Sequence, residues 1–186
     1  SLHVSKRYRG TLMVRDYVNN DILIHPQGYI YHDHVWLLYR NEFFDEFIRT
    51  MQLDVFDSFR DRQITNSMLS DHGKIRVLRS KNMQDDGTIV DKEGYDKYID
   101  DVSSFHVGKY LNQKPIIMVN FTYNTRATIL PDNMIPNGSI AILTPKILFN
   151  EENLSFYSTP EFRRFYEIVK SKSRFTLNID ESSLYY

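Results

Sequence analysis

Two stretches of the chain collect residues that could bind a polyanion, and an acidic stretch lies between them. Residues 58–82 carry six basic side chains against two aspartates, and residues 162–174 carry five against one glutamate. Residues 84–101 carry seven acids and two lysines, while the whole chain has a formal net charge of −1. Arg and Lys gathered among Asn, Gln and Tyr are typical of a surface that contacts nucleic acid, and also of an ordinary solvated face.

The basic and amide side chains define a set of candidate DNA-contacting residues. Arg and Lys can reach phosphates or guanine edges, and Asn and Gln can reach adenine edges in the major groove. Residues 60–66 lack apolar periodicity and are predicted to form a loop, and residues 120–126 lie between two predicted strands. The candidates are Arg60, Arg62, Gln63, Asn66, Lys74, Arg76, Arg79, Lys81, Asn82, Tyr123, Asn124, Arg126, Lys170, Lys172 and Arg174.

Several catalytic signatures are absent from the sequence. The seven glycines form no Gly-x-Gly, and there is no Gly-Lys-Ser/Thr or Gly-x-Ser-x-Gly motif. With no cysteine, a disulfide framework, a cysteine zinc site and a thiol nucleophile are excluded. We expect a cytoplasmic protein, because this composition suits a reducing compartment and no apolar run reaches about 18 residues. These absences favour a binding module over an enzyme.

The sequence gives less support to metal-dependent functions than to nucleic-acid binding. His32 and His34 share one face of a predicted strand near His25, but no third or fourth ligand can be named. The acidic stretch lacks the ligand spacing of an EF-hand, so a solvated turn is expected there. A restriction-type nuclease would need an Asp with Glu-x-Lys, whereas the spacing from Glu167 to Lys170 is longer and falls on a predicted helix. No metal site is predicted.

Two amphipathic helices should position these residues. Apolar spacing predicts a helix over residues 42–59, capped by Asn41, and another over residues 160–171 with a capping box from Ser158 to Glu161. Before the first helix, two apolar runs separated by Pro26-x-Gly28 predict a hairpin.

The middle of the chain is rich in strand signals. Residues 74–79 alternate Ile75 and Val77 with Lys74 and Arg76, and Asp86-Gly87 predicts a turn after them. Three further β-rich runs follow, punctuated by prolines. We therefore predict an α+β fold, a twisted and mostly antiparallel sheet with the two amphipathic helices packed on it. The 186 residues predict one domain, with residues 1–59 as a lead-in hairpin and helix and residues 60–186 as the core.

Three strings are more specific than these patterns. They are "GKIRVLRSKNMQDDGTIVDKEGYDKYI", "NFTYNTRATILPDNMIPNGSIAILTPK" and "FYSTPEFRRFYEIVKSKSRFTLNID", in that order. Together they resemble the C-terminal target-recognition domain of adenine-specific DNA methyltransferases from type II restriction–modification systems. The first string is also similar to recognition domains of type I specificity subunits.

The resemblance implies a fragment of a longer chain that reads double-stranded DNA. The catalytic domain of such enzymes binds S-adenosylmethionine and carries a Pro-Pro motif, which this sequence lacks, so no cofactor is expected in this chain. That catalytic domain would be the partner in cis. Within the candidate set, Lys172 and Arg174 would contact phosphates, and Arg62, Gln63 and Arg126 would read bases. The alternative is a protein-interaction or structural domain without DNA binding.

Overall fold

A four-stranded sheet with both faces covered forms the centre of the fold. The computed structural model describes residues 10–16, 20–32, 35–119 and 126–170. The sheet has the strand order β5-β11-β8-β9, and every neighbouring pair in it is antiparallel. In chain order the strands of the described residues are β1 (Thr11–Asp16), β2 (Asp21–Pro26), β3 (Tyr31–His32), β4 (Val35–Trp36), β5 (Phe56–Phe59), β6 (Ile75–Leu78), β7 (Lys97–Ile99), β8 (Ile116–Val119), β9 (Arg126–Ile129), β10 (Met134–Pro136) and β11 (Ile140–Pro145).

The two inner strands, β8 and β11, bury side chains on both faces of this sheet. Successive side chains of a strand point to opposite faces, so an uninterrupted apolar run can fill two cores at once. One core takes Ile116, Met118, Ala141 and Leu143, and the other takes Ile117, Val119, Ile140 and Ile142.

A helical layer covers the first face. It contains α1 (Glu42–Thr50), α2 (Pro160–Val169) and the 3₁₀ helix Glu151–Ser158. Phe165 of α2 stacks on two phenylalanines of α1, with ring centroids 5.4 Å from Phe44 and 4.2 Å from Phe47. Phe44 and Phe56 share this core with Phe162, so the proposed lead-in segment and the rest of the chain are packed together. Among the described residues, the helices lack the length and the apolar composition that a bilayer span requires.

A three-stranded sheet covers the second face. Its order is β10-β6-β7, with β6 parallel to β10 and antiparallel to β7. Val77 and Ile135, which lie opposite each other, are both fully buried in the second core. The α+β prediction, with mostly antiparallel pairing, is confirmed. Both cores share the central sheet, so they are not split along the chain.

The first predicted helix is too long at its C-terminal end. The α1 helix ends at Thr50, and Asp54 adopts a left-handed φ of 56°, which a helix cannot continue through. Val55 and Phe56 are buried, and Phe56 starts β5 opposite Pro145 of β11. Val55 continues the helical spacing of the apolar residues before it, but the pairing of β5 with β11 decides the structure. At α2, the N-cap is Thr159 rather than Ser158, and its hydroxyl oxygen accepts from the Phe162 amide at 3.2 Å.

The predicted hairpin across Pro26-x-Gly28 is wrong. The six residues of β2 pair with β1, where Ile24 lies opposite Met13, and β3 pairs with β4 instead. The two residues of β3 offer much less backbone pairing than β1 does, so β2 hydrogen-bonds with the longer partner. The turn expected at Asp86-Gly87 is present, with Gly87 at a φ of +85° and its amide donating to the Gln84 carbonyl at 3.0 Å.

Phe165→Ala should lower the free energy of unfolding by about 3–5 kcal/mol, because it empties the aromatic stack between the helices. Leu148→Ala is the matched control. Leu148 is fully exposed, so this substitution should change the free energy of unfolding by no more than about 0.5 kcal/mol. Urea denaturation of both variants measures the difference. Equal losses would show that the stack does not stabilise the helical layer.

Candidate nucleic-acid interface

The strand registers bring several loops to one end of the two sheets. β5 is antiparallel to β11 with Phe59 opposite Ile142, so the chain leaves β5 at the end where β11 begins. At the same end β8 finishes, with Val119 opposite Ile140, and β9 starts, with Arg126 opposite Val119. Loops separated by dozens of residues in sequence therefore meet in space.

The parallel pair of the second sheet adds two more loops. Leu78 of β6 lies opposite Pro136 of β10, so both strands end together. Residues 137–139 then connect β10 directly to β11. We call the surface formed by residues 60–63, 79–82, 137–139 and Arg126 the basic edge.

Hydrogen bonds hold these loops against one another. Arg60 Nη1 donates to the Gly138 carbonyl at 2.9 Å, and the Ser80 amide donates to Ser139 Oγ at 3.1 Å. A Cβ at Gly138 would overlap the backbone carbonyl oxygen of Asp61. The close approach of the two loops therefore requires glycine at this position.

The loop after β5 presents exposed polar side chains. Asp61 is 3% exposed, and its Oδ2 accepts from the Ile64 amide at 2.8 Å, which turns the chain back toward the core. Arg62 and Gln63 lie on the outside of this turn. The side-chain oxygen of Gln63 accepts from the His106 amide at 2.8 Å, which orients its amide group.

The loop after β6 holds two cations over one aromatic ring. The Arg79 guanidinium lies 3.7 Å from the centroid of the Tyr95 ring, and the Lys81 ammonium lies 5.8 Å from it. Cation–π contacts of this kind limit the conformations of a long side chain. Lys81 is exposed, so its ammonium remains accessible to an anion.

Two of the candidate residues are buried, Arg76 beneath this loop and Asn82 within it. Arg76 is 8% exposed, and its Nη2 donates to the Val90 carbonyl at 2.7 Å and to Asp96 Oδ2 at 3.0 Å. Asn82 is fully buried, and its Nδ2 donates to Asp96 Oδ1 at 2.6 Å. Arg76 is a candidate DNA-contacting residue by its type, but the structure buries it. An isolated buried guanidinium would be costly, and its ion pair with Asp96 permits the burial.

Asp96 is the common partner of these buried groups. Its burial raises the pKa, but hydrogen bonds from the Lys92 amide, Asn82 and Arg76 outweigh that effect and lower the pKa of Asp96 below its usual value. The carboxylate is thus charged in the folded protein at neutral pH. Part of the acidic stretch is a structural partner of the basic one.

Arg126 lies at the margin of a polar cleft in the basic edge. One of its terminal nitrogens donates to the Met83 carbonyl, and its Nε lies 3.7 Å from Asp85 Oδ1. The cleft has a volume of about 800 Å³ and is also lined by Lys81, Lys92 and Ser139. Donors and acceptors therefore face the same concave space.

The structure brings together only part of the candidate set. Lys74 lies at the opposite end of β6, where its amide donates to Asp100 Oδ1 at 3.2 Å. Lys170 follows α2 with its ammonium 5.7 Å from the Tyr166 ring, and Asn66 begins an exposed 3₁₀ helix. The members at the basic edge with accessible or partly accessible side chains are Arg60, Arg62, Gln63, Arg79, Lys81 and Arg126. Tyr123, Asn124, Lys172 and Arg174 lie outside the described residues.

Several residues that form or support the basic edge were not predicted from the sequence. Gly138 and Ser139 belong to a Pro-Asn-Gly turn whose punctuation was visible, but its contact with the loop after β5 was not. Tyr95 and Asp96 stand in the acidic stretch, where composition alone indicated only a solvated turn. Their roles follow from the fold.

The described residues contain no group of three or more His, Asp or Glu side chains that could hold a metal ion. The His32 ring instead makes an edge contact with the Phe44 ring at a centroid distance of 5.7 Å, and His34 lies outside the described residues. Comparison of the chain with protein-family models, curated protein sequences and solved structures gave no significant match.

Gly138→Ala should destabilise the protein by about 1–3 kcal/mol, because the added methyl group must displace the backbone at Asp61. Gly28→Ala provides the control, since a Cβ there would meet no atom within 4 Å. Thermal and urea unfolding of the two variants compare the costs. If both variants were equally stable, the two loops could separate without loss, and their close approach would not be a constraint.

Proposed function

We propose that the chain is the DNA target-recognition domain of an adenine-specific DNA methyltransferase from a restriction–modification system, and that the basic edge meets the duplex. The observation that carries the proposal is the convergence of Arg62, Lys81 and Arg126 at one end of the sheets despite their distance in sequence. A protein that reads DNA needs such a cluster, since phosphate contacts position it and side chains in the grooves specify the sequence.

The side chains of the basic edge suit two different tasks. Lys81 is exposed and its ammonium can approach phosphates, where each neutralised charge releases a counterion. Arg62 projects from a turn and carries forked donors that suit a guanine edge, and Gln63 beside it, with its side-chain oxygen bonded to the His106 amide, offers its NH2 group as a donor. The ring of Tyr95 restrains Arg79, which reduces the entropy lost when this guanidinium binds.

Methyl transfer itself would belong to a partner domain. The sequence has neither a Gly-x-Gly nor a Pro-Pro motif. The catalytic domain of such enzymes would carry these motifs and bind S-adenosylmethionine. An adenine inside a duplex must be extruded before its amino group can react, and a second domain must hold the flanking DNA meanwhile. This division of labour assigns holding and reading to the present chain.

A protein-interaction domain is the second candidate, and an exposed apolar segment favours it. Ile147 is 40% exposed and Leu148 is 101% exposed, just after β11 ends at Pro145. Because β11 begins at the basic edge, this segment lies toward the other end of the central sheet. Under this alternative the isolated chain would not bind DNA even at low salt.

The DNA-binding proposal predicts that position, rather than charge alone, decides which lysines contribute. Lys81→Ala should weaken binding to a mixed-sequence duplex and lower the slope of log affinity against log salt by about 0.9, one counterion-release contribution. Lys74→Ala removes the same charge at the opposite end of β6 and should leave both quantities unchanged. Fluorescence anisotropy at several salt concentrations measures both.

Two results would count against the proposal. Absence of any salt-dependent binding by the unaltered chain would favour the protein-interaction alternative. Equal losses in Lys81→Ala and Lys74→Ala would mean that binding follows overall charge, and that the basic edge is not the contact surface.

A further inference from the structure

The carboxylate of Asp96 connects the acidic stretch to the loop that carries Arg79 and Lys81. Asp96 Oδ1 accepts from Asn82 Nδ2 at 2.6 Å, and Asp96 Oδ2 accepts from Arg76 Nη2 at 3.0 Å and from the Lys92 amide at 2.9 Å. Its side chain is 13% exposed. Both oxygens are therefore used, and all three partners are donors.

Asn82 connects Asp96 to the surface loop through its side-chain hydrogen bonds. Its side-chain Oδ1 accepts from the backbone N–H of Arg79 at 3.0 Å, and its backbone N–H donates to the Arg79 carbonyl at 2.8 Å. The Asn82 carbonyl also accepts from the Val90 amide at 2.9 Å, which ties the loop to the returning chain. The backbone from Arg79 to Asn82 is thus held from beneath by the side chain that Asp96 orients.

The residue next to Asp96 holds the same loop from the side. Tyr95 places its ring 3.7 Å from the Arg79 guanidinium. Since Asp96 is fixed by three hydrogen bonds, the backbone at Tyr95 is fixed with it. One carboxylate consequently fixes both the position of the loop backbone and the position of the Tyr95 ring that contacts Arg79.

We infer that Asp96 is a positioning residue for DNA binding, which fixes the Arg79–Lys81 loop through Asn82 and Tyr95. The inference rests on the proposed function, since the loop is taken to contact DNA. A loop held in its bound geometry loses less conformational entropy on binding than a loose one. The acidic stretch would then increase DNA affinity although its negative charge repels the phosphates of DNA.

The chain offers a matched control in Asp91. Asp91 Oδ1 pairs with the same guanidinium, at 2.6 Å from Arg76 Nη1, but its side chain is 89% exposed. Asp91 is surrounded by water, which competes with Arg76 for its charge, so this pair should contribute less than the buried pair with Asp96. Asp91→Asn and Asp96→Asn each remove one negative charge beside Arg76. Only Asp96→Asn places an NH2 donor among the donors of Asn82, Arg76 and Lys92, which should disrupt the contacts that hold Asn82.

The test combines DNA affinity with a double-mutant cycle. Asp96→Asn should bind a mixed-sequence duplex about tenfold more weakly, despite having one negative charge fewer, whereas Asp91→Asn should bind about as well as the unaltered chain. Lys81→Ala should weaken the unaltered chain and Asp91→Asn, yet have little further effect in Asp96→Asn, where the lysine is no longer held in place. A merely destabilising change would lower the folded fraction without removing the effect of Lys81→Ala. Thermal unfolding sets a temperature at which all variants are folded.

A second variant and a second measurement keep the outcomes distinguishable. If Asp96→Asn does not fold, Tyr95→Leu leaves the carboxylate in place and should remove the effect of Arg79→Ala on affinity. If the unaltered chain binds no DNA, the proposed function fails, and amide exchange decides the positioning role by faster exchange at residues 79–82 in Asp96→Asn than in Asp91→Asn. If the unaltered chain binds DNA and Asp96→Asn matches it, with Lys81→Ala equally harmful in both, the inference is overturned.

Discussion

The burial of both faces of β8 and β11 is the constraint on which the rest of the structure depends. The residues that pair β8 with β11, 116–119 and 140–143, are all apolar and buried, so each face of this pair must be covered by another apolar layer. The aromatic helices cover one face and the three-stranded sheet covers the other. Transfer of such apolar surface from water contributes about 25 cal/mol per Å², which makes these layers the main source of stability. Neither face of this strand pair is consequently available for a polar site.

The two ends of the central sheet differ in chemistry because of its topology. Antiparallel pairing sends alternate connections to the same end, and the parallel pairing of β6 with β10 adds the loops that follow both strands. These loops carry the cations of the basic edge. At the far end of β11 the chain continues into Ile147 and Leu148, which are exposed and apolar. One sheet thus separates a basic surface from an exposed apolar segment.

The charge pattern along the chain is reorganised by folding. Carboxylates of the acidic stretch neutralise Arg76 in the interior, while Arg62 and Lys81 remain toward solvent. A buried guanidinium without a partner would be strongly destabilising, so the acids are needed where the chain covers it. A protein with a formal charge of −1 can therefore still present a local basic surface. The net charge is a poor guide to what such a surface binds.

Local features of the sequence determined the class of fold and many element positions. The cap at Asn41, the turn at Gly87 and the apolar runs of the inner strands each depend on neighbouring residues, and each is visible in the sequence. The end of α1, the partner of β2 and the burial of Arg76 were decided by tertiary structure. Each depends on backbone pairing or a charge partner that a period of two or 3.6 residues does not encode. For the same reason the candidate residues were visible as types, but only strand registers between distant segments decided which of them share a surface.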